Sequence, residues 1–165
     1  MPRITSIIFS QVIMLLCFIV FSPTVASSEA LLTPRFVSLK KEKVYLRTGP
    51  SMNHSVDWEY RRKGLPVEIT AEFKDWRRIR DSDGVVGWIN VIMLVGKRTV
   101  LILEDERIFR NEPNLEADYS FRAAKGVLFN VVSCNGLWCR LSHGKQKAWT
   151  LQKGLWGVYS GEILK

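Results

Sequence analysis

Histidine is nearly absent: the 165 residues contain only His54 and His143. A zinc hydrolase needs at least three converging His, Asp, Glu or Cys ligands, and no two-histidine spacing supports one. His54 stands in the polar loop Ser51-Met52-Asn53-His54-Ser55 and His143 in the turn Ser142-His143-Gly144-Lys145, so both are expected to be solvated. Cysteine is almost as rare, with Cys17, Cys134 and Cys139 alone. A cysteine peptidase needs a free thiolate beside a histidine, and a disulfide between the last two would remove both thiols. Gly-x-Ser-x-Gly, His-Glu-x-x-His and the phosphate-loop pattern are all missing. These absences leave no candidate catalytic residue, no metal site and no cofactor, and the chain is expected not to be an enzyme. No segment carries a sustained helical stripe either, and long hydrophobic runs are limited to one.

That run, Ile7 to Phe21, follows Arg3 and precedes Pro23-Thr24-Val25-Ala26, which has small residues at −3 and −1. Residues 1–26 therefore read as a cleaved secretory signal peptide. An uncleaved anchor would need roughly 20 apolar residues, and Ser10 and Gln11 interrupt these 15. A lipoprotein would need a small residue before Cys17, where Leu16 stands. No second span of about 18 apolar residues follows, so no transmembrane span is expected after cleavage. Export points to the periplasm and separates the chain from nucleic acid. The net charge of +8, from 24 basic and 16 acidic residues, becomes +7 once Arg3 is lost, which favours anionic partners.

The mature chain repeats itself. Leu46-Arg47-Thr48-Gly49-Pro50 aligns with Phe109-Arg110-Asn111-Glu112-Pro113, and Gly64 to Ile69 aligns with Gly126 to Val131. Trp76-Arg77-Arg78-Ile79 matches Trp138-Cys139-Arg140-Leu141, Gly87-Trp88-Ile89 matches Ala148-Trp149-Thr150, and Leu94-Val95-Gly96 matches Leu155-Trp156-Gly157. Within each unit, runs such as Val67, Ile69, Ala71 and Phe73 alternate with polar residues, the period of a strand with one buried face. Turn chemistry separates the strands, including Asp81-Ser82-Asp83-Gly84 and the Asn135-Gly136 pair. The expected fold class is all-β, with two tandem small barrels, residues 36–97 and 104–164. Tyr45, Leu46, Val67, Ile69, Ile79 and Trp88 are the expected core of the first, and residues 96–106 form a short, packed junction in which Thr99 to Leu103 is strand-like.

Val44-Tyr45-Leu46-Arg47-Thr48-Gly49-Pro50, Trp76-Arg77-Arg78-Ile79 and Gly84-Val85-Val86-Gly87-Trp88-Ile89 resemble the bacterial SH3 (SH3b-like) domain. Asp57-Trp58-Glu59-Tyr60 and the ending Leu155 to Glu162 look more specifically like the exported two-unit SH3-like proteins of alphaproteobacteria. The second unit departs at Glu112, in place of glycine in the Arg-x-Gly-Pro turn, and at Ala148, in place of the glycine before Trp149. The resemblance implies tandem SH3-like barrels in the cell envelope, no catalytic residues, and peptidoglycan as the kind of target that related modules recognise.

An oxidising compartment and a four-residue turn between Cys134 and Cys139 imply a disulfide. A redox pair or a metal site would need a different spacing or a nearby histidine. The six tryptophans all lie beyond the signal, and packing is the plain explanation for most of them. Trp76, however, shares strand parity with Arg78 and Arg80, opposite Ile79, and Trp138 shares it with Arg140. An indole beside a guanidinium on an open face suits a peptide bearing carboxylates. Trp76, Arg78, Arg80, Trp138 and Arg140 are thus the expected ligand-binding residues, for cell-wall peptidoglycan or another anionic envelope polymer. The alternative is a scaffold subunit that docks an envelope protein through barrel surfaces or the exposed edge of one unit.

Overall fold

In the computed structural model, the described residues are 33–165; the expected signal peptide, residues 1–26, lies outside them. Residues 33–165 fall within one compact unit. Its first half contributes β1 (Arg35–Leu39), β2 (Val44–Arg47), β3 (Val56–Tyr60), β4 (Pro66–Phe73), β5 (Trp76–Arg80), β6 (Val86–Asn90) and β7 (Leu94–Val95). A single 3-10 turn, Val91–Met93, joins the last two. The second half contributes β8 (Thr99–Ile102), β9 (Glu106–Arg110), β10 (Tyr119–Ala124), β11 (Leu128–Asn135), β12 (Trp138–His143), β13 (Gln146–Leu151), β14 (Leu155–Trp156) and β15 (Ile163–Leu164).

The two sheets are permuted alike. The first runs β3-β2-β6-β5-β4-β1-β7 and the second β10-β9-β13-β12-β11-β8-β14, with β15 added along β11. All their pairings are antiparallel, so the chain is two successive small β-barrels. Even the irregularities recur, with register shifts between Ile69 and Ala71 in β4 and between Val131 and Ser133 in β11. Such bulges bend a strand enough to curl a short sheet onto itself.

Strand alternation decides what each barrel encloses. Val44, Leu46, Val67, Ile69, Ile79 and Ile89 are buried together in the first, and Val100, Ile102, Phe109, Phe129 and Leu141 in the second. Leu46, Val67, Ile69 and Ile79 match the expected core. Tyr45 and Trp88 do not: inward Val44 and Leu46 leave Tyr45 outside at 43% exposure, and inward Gly87 and Ile89 leave Trp88 half-buried on the outer face.

The Cys134–Cys139 disulfide forms, across directly paired positions of β11 and β12. At the equivalent pair in the first barrel, Glu72 and Arg77 face each other and form an ion pair of 3.3 Å. One hairpin is clipped covalently and its counterpart electrostatically.

The barrels are joined by polar contacts of the junction and the C-terminal segment. The Ser38 hydroxyl lies 2.6 Å from the Lys97 carbonyl and 2.7 Å from Thr99 Oγ1, which lies 2.7 Å from the Gly64 carbonyl, so the two hydroxyl protons serve two of these three contacts. Trp156 Nε1 donates to the Pro66 carbonyl at 2.9 Å, and its ring packs edge-on against Phe36. Tyr159 donates its hydroxyl to Glu68 Oε1 at 2.9 Å, while Arg80 donates Nε and Nη2 to Glu68 Oε2. Arg98 grips both carboxylate oxygens of Glu162, at 2.8 and 2.9 Å.

Candidate ligand-binding site

Outward residues of β9 and the segments around it surround a cleft of about 240 Å³ in the second barrel. Its lining includes Glu104, Glu106, Ile108, Arg110, Leu115 and Trp138. Phe109 points into the core, which turns Ile108 and Arg110 outward. Arg107 is buried at the base, donating to the carbonyls of Leu151 and Lys153 and pairing with Glu104 at 2.9 Å. Burial lowers its guanidinium from the ordinary value, and Glu104 pulls the other way. Leu115 comes to the cleft from the loop after β9, and that loop is latched. Arg110 Nη1 donates to the Ala117 carbonyl at 2.6 Å, and the Asn111 N–H donates to the Asp118 carbonyl.

Arg110 belongs to a second arrangement as well. It lies opposite Trp149 on β13, and Trp149 lies opposite Arg140 on β12, so the three form a cross-strand row on the outer face. The first barrel carries the same row as Arg47, Trp88 and Arg78. Its latch is duplicated too, with Arg47 Nη1 donating to the His54 carbonyl at 2.7 Å. Neighbouring strands are about 4.8 Å apart, so the outer two arginines of a row begin roughly 10 Å apart with an indole between them. This combination offers two guanidinium groups to acidic substituents and a flat apolar body to whatever links them. The cleft adds carboxylates at Glu104 and Glu106, so it can also meet an amine.

A family model described as "Bacterial SH3 domain" matches residues 40–96 and again 104–157. The chain belongs to the bacterial SH3 domain family. No curated protein matches it in sequence. Solved structures similar to it include NlpC2 from Trichomonas vaginalis, at 14% identity and a TM-score of 0.35 over 77% of this chain and 49% of that one. An NlpC/P60 family protein from Bacillus cereus has 12% identity and a TM-score of 0.34, over 73% and 55% of the two chains. NlpC1 from Trichomonas vaginalis has 14% identity and a TM-score of 0.35, over 78% and 47%. The chain spans about half the length of these solved chains.

Within these bacterial SH3 barrels the five expected ligand residues have different fates. Trp76 and Trp138 lie outside both interior clusters, as their parity requires, yet they are only 8% and 6% exposed. The open aromatic face expected there is corrected. The chain leaving β6 and β13 bonds back to the preceding turn, Val91 N–H to the Asp75 carbonyl and Gln152 N–H to the Leu137 carbonyl. Trp138 still contributes to the cleft lining. Arg80 is exposed, pairs with Glu68 and lies 5.5 Å over the Trp156 ring. Arg78 and Arg140 are exposed and form no ion pair among the described residues.

Reading by sequence missed Arg47, Arg110, Trp88 and Trp149 as surface groups. The available signal was the repeat itself, since Arg47 and Arg110 persist where the following Thr48-Gly49 becomes Asn111-Glu112. The change at Glu112 has a steric partner. A Cβ added at Gly49 would clash with the His54 ring, and the residue equivalent to His54 is Ala117, which clears that space. Among the described residues, no group of three His, Cys, Asp or Glu side chains is placed to hold a metal, and no helix is long and apolar enough to cross a membrane.

Proposed function

We propose that this chain is a non-catalytic periplasmic binding module that recognises peptidoglycan stem peptide, or another anionic envelope ligand, at the cleft and arginine–tryptophan row of its second barrel. The observation that carries this reading is Arg110, which lines the cleft and also stands in the row with Trp149 and Arg140. A stem peptide presents carboxylates, amines and short apolar side chains, and the cleft sets guanidinium, carboxylate and apolar groups side by side. Membership of the bacterial SH3 domain family supports a wall target.

The test is sedimentation of residues 27–165 with purified sacculi at two salt concentrations. Binding that resists salt and is lost in Ile108→Glu and Arg140→Ala supports a cleft ligand. Binding that vanishes at moderate salt in every form reduces the interaction to charge, because screening shortens to about 8 Å at physiological ionic strength.

A second reading, an envelope scaffold, is favoured by the edge strand β3, where Val56 and Trp58 are exposed beside unpaired backbone groups. It requires a protein partner and predicts no binding to sacculi alone.

A further inference from the structure

Two loops at one end of the first barrel, residues 40–43 and 61–64, meet in space. The Lys63 N–H donates to Glu42 Oε2 at 3.3 Å, and the Gly64 N–H donates to the Leu39 carbonyl at 2.8 Å. Together they expose Lys40, Lys41, Lys43, Arg61, Arg62 and Lys63. Glu42 and Glu59 oppose these six cations, which leaves the cluster at +4. Glu59 is shared by Lys43 and Arg61, whereas Lys40, Lys41, Arg62 and Lys63 take part in none of the side-chain ion pairs among the described residues. Tyr45 stands on the outer face beside them, with the Lys43 ammonium 5.0 Å from its ring centre.

The second barrel serves as an internal control. Leu103, Glu104, Asp105 and Glu106 replace Lys40 to Lys43, and Lys125 is the one cation left in the loop after β10. The cross-strand pair survives with its polarity reversed: Lys43–Glu59 at 3.0 Å becomes Glu106–Arg122 at 3.0 Å. A barrel of this type therefore folds with the pair in either sense and without any surplus of positive charge. The surplus is specific to the first barrel, and it calls for a reason other than folding.

We propose that this basic end docks on a bilayer surface rich in anionic phospholipid headgroups, with Tyr45 as its interfacial aromatic anchor. Six cations exposed side by side match many headgroups at once, and each basic side chain near such a surface adds to the attraction. Aromatic rings with a polar tip settle at the level of the headgroups. The surface is separate from the cleft: none of its residues lines it, so the failure of either reading leaves the other standing.

The experiment is co-sedimentation of residues 27–165, which carry both cores and omit the apolar leader, with vesicles of phosphatidylcholine alone or mixed with phosphatidylglycerol. Binding is expected only to the mixed vesicles, and to weaken at 1 M salt, where the screening length falls to about 3 Å. Lys40→Glu/Lys41→Glu/Arg62→Glu should lower the partition coefficient by a factor on the order of a hundred or more, since each change removes an attraction and adds a repulsion. The same change of net charge in the second barrel, Lys125→Glu/Lys145→Glu/Lys147→Glu, should lower it far less. If the first triple variant does not fold, Lys41→Glu and Arg62→Glu are measured singly, each with an expected loss of roughly fivefold or more. Equal losses in the two triple variants, equal binding to phosphatidylcholine alone, or no binding to mixed vesicles would overturn the proposal. So would patch-dependent binding confined to sacculi, which would assign the basic end to wall polymer.

Discussion

Replacing Glu68 with alanine probes the contact that ties the C-terminal segment to the first barrel. Glu68 is 4% exposed, and its two oxygens accept from Tyr159 on one side and Arg80 on the other. A hydrogen bond to an ionised group contributes about 1.5–3 kcal/mol when it is buried. The Arg80 side chain is 48% exposed, so solvent reduces its share to about 1 kcal/mol or less. The Tyr159 hydroxyl would lose its acceptor at a further cost of about 1–2 kcal/mol. Relief from burying a carboxylate offsets part of that sum, and the expected loss is about 2 kcal/mol, a fall in Tm of roughly 5–10 °C. Tyr159→Phe alone should cost about 1 kcal/mol, and the two substitutions together should cost less than their sum because they remove the same bond. Thermal and urea unfolding of the four forms give the coupling. Burial and the bond to Glu68 raise the Tyr159 phenol above its ordinary value of 10.0. This contribution is therefore complete below pH 10 and is lost as the pH rises beyond it. A Glu68→Ala protein within ~0.5 kcal/mol of wild type, or strict additivity, would refute the reasoning.

Three further outcomes are expected. Reducing the Cys134–Cys139 bond removes a loop constraint of about 2 kcal/mol, and hydrogen exchange should quicken in the β11–β12 hairpin while the first barrel keeps its protection. Gly49→Ala should destabilise by about 1–3 kcal/mol through its clash with the His54 ring; adding His54→Ala should restore part of the loss, and a double-mutant unfolding cycle measures it. Burial works against ionisation of Glu162, but the Arg98 hydrogen bonds and the Tyr159 N–H outweigh it and hold the carboxyl below its ordinary 4.5. The associated stability is present above that pH and is lost as the pH falls below it, so Glu162→Gln should flatten the acid limb of a plot of Tm against pH.

Much of the fold was legible because its rules are local and stated twice. The period-2 pattern of Val67 to Phe73, the Asp-Gly and Asn-Gly turns, and the tandem alignment were enough to place two all-β units. The cysteine turn was legible for the same reason, since paired positions flanking a short turn lie within disulfide reach. The site was harder to read. Parity put Trp76 and Trp138 on the outer side of β5 and β12, but parity says nothing of what later covers a side chain. The burial of Trp76 and Trp138 on that outer side carries no local mark in the sequence. Arg80 does lie outward as its parity requires, but its pairing with Glu68 across β4 and the Trp156 ring of the other barrel beside it are long-range features that strand parity does not report. Tyr45 and Trp88 followed hydrophobicity into the expected core, although the smaller Leu46 and Gly87 beside them set the inward phase.

The most direct test of the binding site is a nuclear magnetic resonance titration of residues 27–165 with soluble peptidoglycan stem peptides. Shifts gathered on Ile108, Arg110, Leu115, Arg140 and the indole N–H groups of Trp138 and Trp149 are the predicted result. Shifts confined to β3, or none at saturating peptide, would contradict it.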